Sequence, residues 1–205
     1  MGSKLSNFVR PDKRHEIEVK KLSVLVLGLD GAGKSTLISH LDAEKFGNGE
    51  SDNYLHPTTA LSMHRFKYLD MKWVVWDMSG RAQYRKMWND FYQQSMAIVF
   101  VVDASRILRL GVVKEEWKRL LQHPSVKRRK TPILVMLNKL DHATDTDDPH
   151  VTLNQIRNVL PEEEHEGEVQ YRTCSGMTGE GIGEGIQWIS TTVKDIVRSS
   201  KGVNN

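Results

Sequence analysis

Short apolar segments alternate with amphipathic segments along most of the chain. The apolar segments, which we predict to be strands, include KLSVLVLG, KWVVWD, MAIVFVVD, TPILVMLN and EVQYRTCS. Apolar residues recur at helical spacing in three other stretches, and we place helices at Lys34–Phe46, Leu108–Gln122 and Ile182–Arg198. Strands that alternate with helices indicate an α/β domain built on a largely parallel sheet.

Two further predicted strands follow each other too closely for a helix to intervene. ALSMHRFKY and MKWVVWD are separated only by the dipeptide LD. Because parallel strands need a crossover connection of about a dozen residues or more, these two strands should form a hairpin. The hairpin adds an antiparallel strand at one edge of the sheet.

Composition limits the classes of protein that this chain can belong to. With 205 residues, 39% of them apolar, it can form one core, so we expect a single domain. The 29 Lys and Arg residues nearly balance the 26 Asp and Glu residues, which gives no reason to expect a nucleic-acid partner. The single cysteine, Cys174, excludes an internal disulfide, and MAIVFVV is too short to span a bilayer. We therefore expect a cytoplasmic monomer whose membrane contact is peripheral.

The segment GLDGAGKS follows the first predicted strand and leads into the first predicted helix. This spacing is that of a P-loop, in which glycines turn backbone N–H groups inward around phosphate. Lys34 would contact the β- and γ-phosphate oxygens, and the Ser35 hydroxyl would bind Mg²⁺. The alternative is a glycine-rich turn that binds nothing. The predicted phosphate-binding residues are Gly28, Leu29, Asp30, Gly31, Ala32, Gly33, Lys34, Ser35 and Thr36.

A second motif, NKLD, follows the strand TPILVML and places Asn138, Lys139 and Asp141 at its carboxyl end. Asp141 can accept hydrogen bonds from guanine N1–H and the 2-amino group, whereas adenine offers an acceptor at N1 and no 2-amino group. A site built for such donors can reject a ligand that lacks them by a factor of about 10⁴. Lys139 would lie along the ring, and Asn138 would reach the purine edge or brace the P-loop. The motif therefore predicts a guanine nucleotide.

Three weaker elements complete the predicted site. The backbone of Cys174 and Ser175, after the last strand, could cap the guanine O6 atom. On the guanine-nucleotide interpretation, Thr58 in HPTTA joins Ser35 as a Mg²⁺ ligand and contacts the γ-phosphate only when GTP is bound. Gly80, the last residue of the DxxG motif, would sense the γ-phosphate through its N–H.

Taken in order over residues 20–198, GLDGAGKS, PTT, WDMSG, NKLD and TCS resemble the motifs of the Arf-like small GTPases. The segment LGLDGAGK, Trp76 directly before Asp77, and the closing GEGIGEGIQWI favour this branch. The resemblance implies a six-stranded, mostly parallel sheet with one antiparallel edge strand and helices on both faces. It also implies a GTP/GDP switch that uses Mg²⁺, and two regions that rearrange, at residues 47–60 and 77–95. We call these the first and second switch regions.

Within this family, DMSGRAQYRKMWNDFY and VVDASRILRLGVVKEEWKRLL are most similar to the ciliary subfamily. That similarity implies a GTP form that recruits an effector or coat protein, similar to the BBSome, to a membrane at the base of a cilium or flagellum. An exchange factor and a GTPase activator would control the switch. The family contacts effectors through an apolar patch, which corresponds here to Leu61, Trp76 and Phe91; the alternative for each residue is core packing.

The N-terminal sequence MGSKLS fits the N-myristoylation pattern, with Gly2 as the acceptor and Ser6 in place. The alternative is a chance match. Because one acyl chain binds membranes only weakly, a second signal is needed, and Leu5, Phe8 and Val9 lie on one helical face that could provide it. We divide the chain into a membrane-facing segment 1–19, a GTPase domain 20–198 and a tail 199–205, and assign no function to the acidic segment 142–168.

The residue after DxxG departs from the family. There the family has a glutamine that orients the attacking water, whereas this chain has Arg81, with Gln83 two positions later. The predicted catalytic positions are Lys34, Thr58 and Arg81. Three hypotheses remain open: a slow GTPase switch, a nucleotide-dependent binding module that hydrolyses GTP negligibly and resets by exchange, and a P-loop phosphotransferase. Arg81 could act in cis on the phosphate or pair with an acidic neighbour, and we favour the ion pair.

Overall fold

The computed structural model describes residues 21–46, 58–69, 71–139, 149–162 and 165–202. Its strands are β1 (Lys21–Leu27), β2 (Leu61–Tyr68), β3 (Met71–Met78), β4 (Ala97–Asp103), β5 (Ile133–Asn138) and β6 (Val169–Cys174). Its α-helices are α1 (Lys34–Phe46), α2 (Asn89–Tyr92), α3 (Leu110–Gln122), α4 (Pro124–Arg129), α5 (Pro149–Val159) and α6 (Ile182–Gly202). Two 3₁₀ helices span Ala82–Trp88 and Ile107–Arg109.

The six strands form one sheet in the order β2-β3-β1-β4-β5-β6. Among the described strands, β2 and β3 pair antiparallel and the other neighbours pair parallel. The hairpin between them closes with Tyr68 opposite Met71, and Leu69 in the connection adopts a φ of 47°. This topology confirms the predicted α/β fold and its antiparallel edge strand.

The two central strands β4 and β5 are almost wholly buried because helices cover both faces of the sheet. On one face, α1 and α6 supply Leu37, Ile38, Ile186 and Ile189 to one core cluster. On the other face, α3 contributes Trp117, whose ring lies 5.4 Å from that of Phe100. Burial of each large apolar side chain contributes about 1.5–3 kcal/mol, so the two clusters fix the sheet that carries the site.

The predicted helix bounds agree with the structure at one end or both. Helix α1 has the predicted bounds, whereas the second predicted helix divides into a 3₁₀ turn at Ile107–Arg109 followed by α3. Helix α6 continues beyond the predicted Arg198 because VRSSK contains no glycine or proline, and it ends at Gly202. Part of the acidic segment forms α5. Among the described residues, no helix is both long and apolar enough to cross a membrane.

Candidate functional site

The P-loop connects β1 to α1, and its backbone requires glycine at two points of close approach. Gly28 has a φ of 140° and Gly33 a φ of 93°, a region that L side chains rarely adopt. A Cβ atom at Gly28 would collide with the Val101 carbonyl oxygen, and one at Gly33 with the Asn138 side-chain nitrogen. The loop is therefore held tightly against β4 and the NKLD segment.

Lys34 is a buried cation at the start of α1. Its Nζ atom donates a 2.9 Å hydrogen bond to the Leu29 carbonyl oxygen, but no carboxylate of the described residues forms an ion pair with it. Burial lowers its pKa from the ordinary 10.5 to about 8, although the charges of Asp77 and Asp30 partly offset this effect. A phosphate group in the loop would supply the missing negative charge.

Three side-chain oxygens converge beside the P-loop. The Ser35 hydroxyl donates a 2.5 Å hydrogen bond to Asp77 Oδ2, and Thr58 Oγ1 lies 3.0 Å from Ser35 Oγ and 3.2 Å from the same carboxylate oxygen. Asp77 is buried, and its Oδ1 atom has no hydrogen-bond partner among the described residues. Burial of an unpaired carboxylate oxygen destabilises the fold unless a cation or hydrogen-bond donor contacts it. Carboxylate and hydroxyl oxygens are ligands that Mg²⁺ prefers. Ser35, Thr58 and Asp77 therefore fit a magnesium site.

The start of the second switch region packs directly on the P-loop. Gly80 is buried, and a Cβ atom there would collide with backbone atoms of Asp30 and Leu29. The preceding residue, Ser79, donates from its N–H to the Ala60 carbonyl oxygen at 2.9 Å and accepts from Trp88 Nε1 at 3.1 Å. The Gly80 backbone is thus placed beside the phosphate-binding loop, as a sensor of a terminal phosphate must be.

Arg81, at the position of the family's glutamine, is exposed and forms no ion pair with any described residue. The ion pair with an acidic neighbour that the sequence suggested is thus not seen in this part of the chain. Gln83 is also exposed and lies in the 3₁₀ helix Ala82–Trp88. Both side chains are free to change position when a ligand or partner binds.

A cavity of about 300 Å³ lies beside the P-loop. Its walls are formed by Gly33, Thr36, Ser105, Arg106, Asn138, Lys139, Gly176 and Met177. Four of these residues, Gly33, Thr36, Asn138 and Lys139, belong to the motifs predicted from the sequence; the other four lie in the loops after β4 and β6. The cavity adjoins the phosphate loop and the NKLD segment, which is where a nucleoside would lie.

Asn138, in the wall of this cavity, connects the P-loop to the loop after β6. Its Nδ2 atom donates to the Ala32 carbonyl oxygen at 2.8 Å, and its Oδ1 atom accepts from Gly176 N–H at 2.7 Å and Lys139 N–H at 2.9 Å. The residue is 1% exposed. Of the two roles that the sequence left open for Asn138, the structure shows the brace of the P-loop.

Lys139 is fixed by a charged partner on the neighbouring strand. Its Nζ atom donates to Asp103 Oδ2 at 2.8 Å. Burial alone would raise the pKa of the Asp103 carboxyl, but hydrogen bonds from Lys139 and Ser105 outweigh it and hold that pKa below its usual value. Lys139 is therefore held along the cavity wall. Asp141, the predicted guanine selector, lies outside the described residues, so its contact stays a prediction.

Cys174 and Ser175 are buried at the end of β6. The Ser175 N–H donates to the Glu180 carbonyl oxygen at 3.0 Å, and its hydroxyl accepts from Thr178 N–H at 3.2 Å. The Ser175 N–H thus already has a partner within its own loop. The residues of this loop that line the cavity are instead Gly176 and Met177.

The three predicted effector-patch residues are partly exposed to solvent. Leu61, Trp76 and Phe91 are half-buried and pack against the core on the α3 side of the sheet. The Trp76 and Phe91 rings lie 5.2 Å apart. Along β3, Trp73 and Val75 are fully buried on the opposite face of the sheet, whereas Trp76 is half-buried. The hairpin and the second switch region therefore share one partly exposed aromatic contact.

Some site residues were not identified as such from the sequence. Asp77 was noted only as part of DxxG, and the motif itself was the available signal for its role beside Ser35. Two arginines that contact Asp30, Arg85 and Arg109, carried no sequence signal. The predicted acyl acceptor Gly2 lies outside the described residues.

Comparison with known proteins accounts for this arrangement. Residues 12–193 match the ADP-ribosylation factor family. The chain belongs to the Arf family. It is 34% identical to ADP-ribosylation factor-like protein 6 of Danio rerio over 87% of this chain and 91% of that protein. It is 35% identical to ADP-ribosylation factor-like protein 2 of Dictyostelium discoideum over 90% of this chain and 92% of that protein.

A solved structure gives the same result for this Arf-family chain. The Arl6 BBS3 small GTPase of Trypanosoma brucei, which contains the bound nucleotide analogue GppNp, matches with a TM-score of 0.71 and 27% identity. The match covers 86% of this chain and 99% of that one. The predicted resemblance to the Arf-like small GTPases is thereby confirmed, and with it GTP binding through a P-loop.

Proposed function

We propose that this Arf-family protein is a GTP/GDP switch whose GTP form recruits an effector or coat protein to a membrane. The observation that carries the proposal is the contact of Thr58 with both Ser35 and Asp77. It brings the first switch region to the P-loop, while Gly80 of the second switch region packs on the same loop. Both regions can therefore respond to one terminal phosphate.

Different residues of the site bind different parts of the nucleotide. Lys34 and the P-loop N–H groups bind phosphate oxygens, and Asn138 keeps the P-loop and the loop after β6 in register with the cavity. Ser35, Thr58 and Asp77 would hold Mg²⁺, which neutralises phosphate charge when bound. Asp141 would select guanine. Together, these residues bind GTP and GDP through the same contacts and distinguish them at Thr58 and Gly80.

Slow hydrolysis is part of the proposal and rests on Arg81. Intrinsic rates in Ras-like proteins are already about 10⁻⁴ s⁻¹, and a partner that completes the site can add a factor of about 10³ to 10⁵. An exposed arginine does not replace a glutamine that orients water. The second candidate function, a binding module that hydrolyses GTP negligibly and resets by exchange, is favoured by the same observation.

Single-turnover hydrolysis of preloaded GTP separates these two functions. The native chain and Arg81→Gln are compared with Mg²⁺, alone and with a candidate activator. Slow native turnover that an activator accelerates supports the switch. No native turnover under either condition, with turnover restored in Arg81→Gln, supports the binding module. Equal slow rates in both proteins would show that another group, such as Gln83, positions the water.

The proposed effector surface is the half-buried patch of Leu61, Trp76 and Phe91, at the junction of the hairpin and the second switch region. A BBSome-like coat is the proposed partner, and a membrane at the base of a cilium or flagellum is the proposed location. Purified coat should bind the GTP-loaded chain more tightly than the GDP-loaded chain. Trp76→Ala should abolish this difference, whereas Val112→Ala, which shortens an exposed apolar side chain on α3, should preserve it.

Myristoylation of Gly2 is the proposed membrane anchor. Mass spectrometry of the protein from eukaryotic cells should show an added myristoyl group that Gly2→Ala lacks. Sedimentation with anionic vesicles should then recover more native protein than Gly2→Ala. An unmodified N-terminus, or equal recovery of both proteins, would contradict this part of the proposal.

A further inference from the structure

Arg109 forms two hydrogen bonds to Asp30, the third residue of the P-loop. Its Nη1 atom donates to the Asp30 carbonyl oxygen at 2.8 Å, and its Nη2 atom donates to Asp30 Oδ1 at 2.7 Å. Arg109 is the last residue of the 3₁₀ turn that precedes α3, so these hydrogen bonds connect the P-loop to a segment 79 positions further along the chain. A single guanidinium thus fixes both the backbone and the carboxylate of Asp30.

A second arginine reaches the same carboxylate from the second switch region. Arg85 Nη2 lies 3.6 Å from Asp30 Oδ1. Its Nε atom donates to the Gly80 carbonyl oxygen at 2.8 Å, and its Nη1 atom donates to Glu116 at 3.2 Å. Gly80 itself packs against the Asp30 backbone. Asp30 therefore lies where the P-loop meets the predicted sensor of the terminal phosphate.

The Asp30 carboxylate lies in a loop that binds negatively charged groups. The P-loop binds phosphate, and two negative charges a few ångströms apart repel each other. The Asp30 side chain is 49% exposed and is not removed from the site by burial. Its hydrogen bond from Arg109 is the main reason that its pKa lies below the usual value, although partial burial opposes the shift, so the group is charged at neutral pH.

We propose that Arg109 is a positioning residue that holds the Asp30 carboxylate away from the terminal phosphate and so sets the ratio of GTP affinity to GDP affinity. The inference rests on the proposed GTP/GDP switch. GDP lacks the phosphate nearest to Gly80, so a released Asp30 carboxylate weakens GTP binding more than GDP binding. Arg85 does not replace the two hydrogen bonds from Arg109, because its guanidinium lies 3.6 Å from the Asp30 carboxylate and already binds Gly80 and Glu116.

The test measures dissociation constants of fluorescent GTP and GDP analogues for the full chain with Mg²⁺. In Arg109→Gln, the ratio of GTP affinity to GDP affinity should fall about tenfold, the scale of one hydrogen bond between charged groups. The double variant Asp30→Asn/Arg109→Gln removes the carboxylate as well and should restore the native ratio. Arg157→Gln is the matched control, because Arg157 pairs with Glu162 on another part of the surface.

The outcomes are distinct. A selective loss of GTP affinity that the double variant reverses supports the inference. An equal loss of GTP and GDP affinity in Arg109→Gln shows a role in general P-loop stability only and overturns it, as does a double variant with the same ratio as Arg109→Gln. If the native chain binds neither guanine nucleotide, the proposed function fails and the inference with it. Native binding with an unchanged ratio in Arg109→Gln overturns the inference alone.

Discussion

The Ser35 hydroxyl donates a 2.5 Å hydrogen bond to Asp77, although 42 positions separate the two residues. Strands β1 and β3 are parallel neighbours, with Val26 paired to Asp77, so the P-loop and the DxxG motif leave the sheet at the same edge. In open α/β sheets, ligands bind outside the carboxyl ends of the strands. Thr58, just before β2, completes the cluster of oxygens from a third segment.

Asp77→Asn should raise the concentration of Mg²⁺ that is needed to keep the nucleotide bound. The substitution replaces a charged oxygen with a neutral amide at the predicted magnesium site, and we expect Mg²⁺ affinity to fall by about 10- to 100-fold. The measurement is the dissociation rate of bound GDP as a function of free Mg²⁺. Asp195→Asn, on the exposed surface of α6, is the control. An Asp77→Asn curve that coincides with the native curve would remove Asp77 from the metal site.

Lys34→Met should weaken binding of both nucleotides without lowering the stability of the nucleotide-free protein, because burial of the charged amine already opposes folding. Folding lowers the pKa of Lys34 from 10.5 to about 8, so in this window the unfolded chain binds more protons at this group than the folded chain does. The Lys34 contribution to the free energy of unfolding therefore rises as pH increases from about 8 to about 10.5. Urea unfolding of both proteins at pH 7.5 and 9.5 should show this rise only in the native chain. The same pH dependence in Lys34→Met would assign it to another group.

Asn138→Ala should lower the free energy of unfolding by about 3 kcal/mol, because it leaves the Ala32 carbonyl oxygen and the Gly176 N–H without a partner in a buried site. Nucleotide affinity should fall as well, since both loops lose their brace. Urea denaturation with and without GDP measures the two effects. Asn158→Ala, at an exposed position in α5, should change neither.

Gly80→Ala should separate GTP sensing from GDP binding. A methyl group at this position collides with the Asp30 and Leu29 backbone, so the second switch region must move off the P-loop, while the contacts to GDP remain. Trp88, which donates to the Ser79 carbonyl oxygen, makes intrinsic fluorescence a suitable reporter. We expect the fluorescence difference between the GTP and GDP forms to disappear. Gly111→Ala, where the added Cβ meets nothing within 4 Å, should keep the difference and stabilise α3 by about 1 kcal/mol.

The sequence was sufficient to predict features that depend on neighbouring positions. The P-loop, the hairpin and the bounds of α1 each follow from a contiguous motif or a short period, and the comparisons confirm the fold and the family. Contacts between distant segments were harder to predict. The approach of Asp77 to Ser35 requires the order of β1 and β3 in the sheet, which no local pattern contains.

Residues in the cavity wall were also hard to predict from the sequence. Met177 lines the cavity although its side chain is largely exposed, and a methionine in a glycine-rich loop carries no chemical signal of binding. Arg109 was assigned only to a helix, yet its guanidinium contacts Asp30 in the P-loop. Both contacts are determined by where the loops after β4 and β6 meet the P-loop, so they depend on tertiary structure.

We expect this protein to be specific for guanine nucleotides, and equilibrium titration of the nucleotide-free chain with GTP, GDP and ATP in the presence of Mg²⁺ measures that specificity. GTP and GDP should bind about 10⁴-fold more tightly than ATP, and Asp141→Asn should shift the preference towards xanthosine nucleotides. Equal affinity for ATP and the guanine nucleotides in the native chain would show that the site does not select guanine.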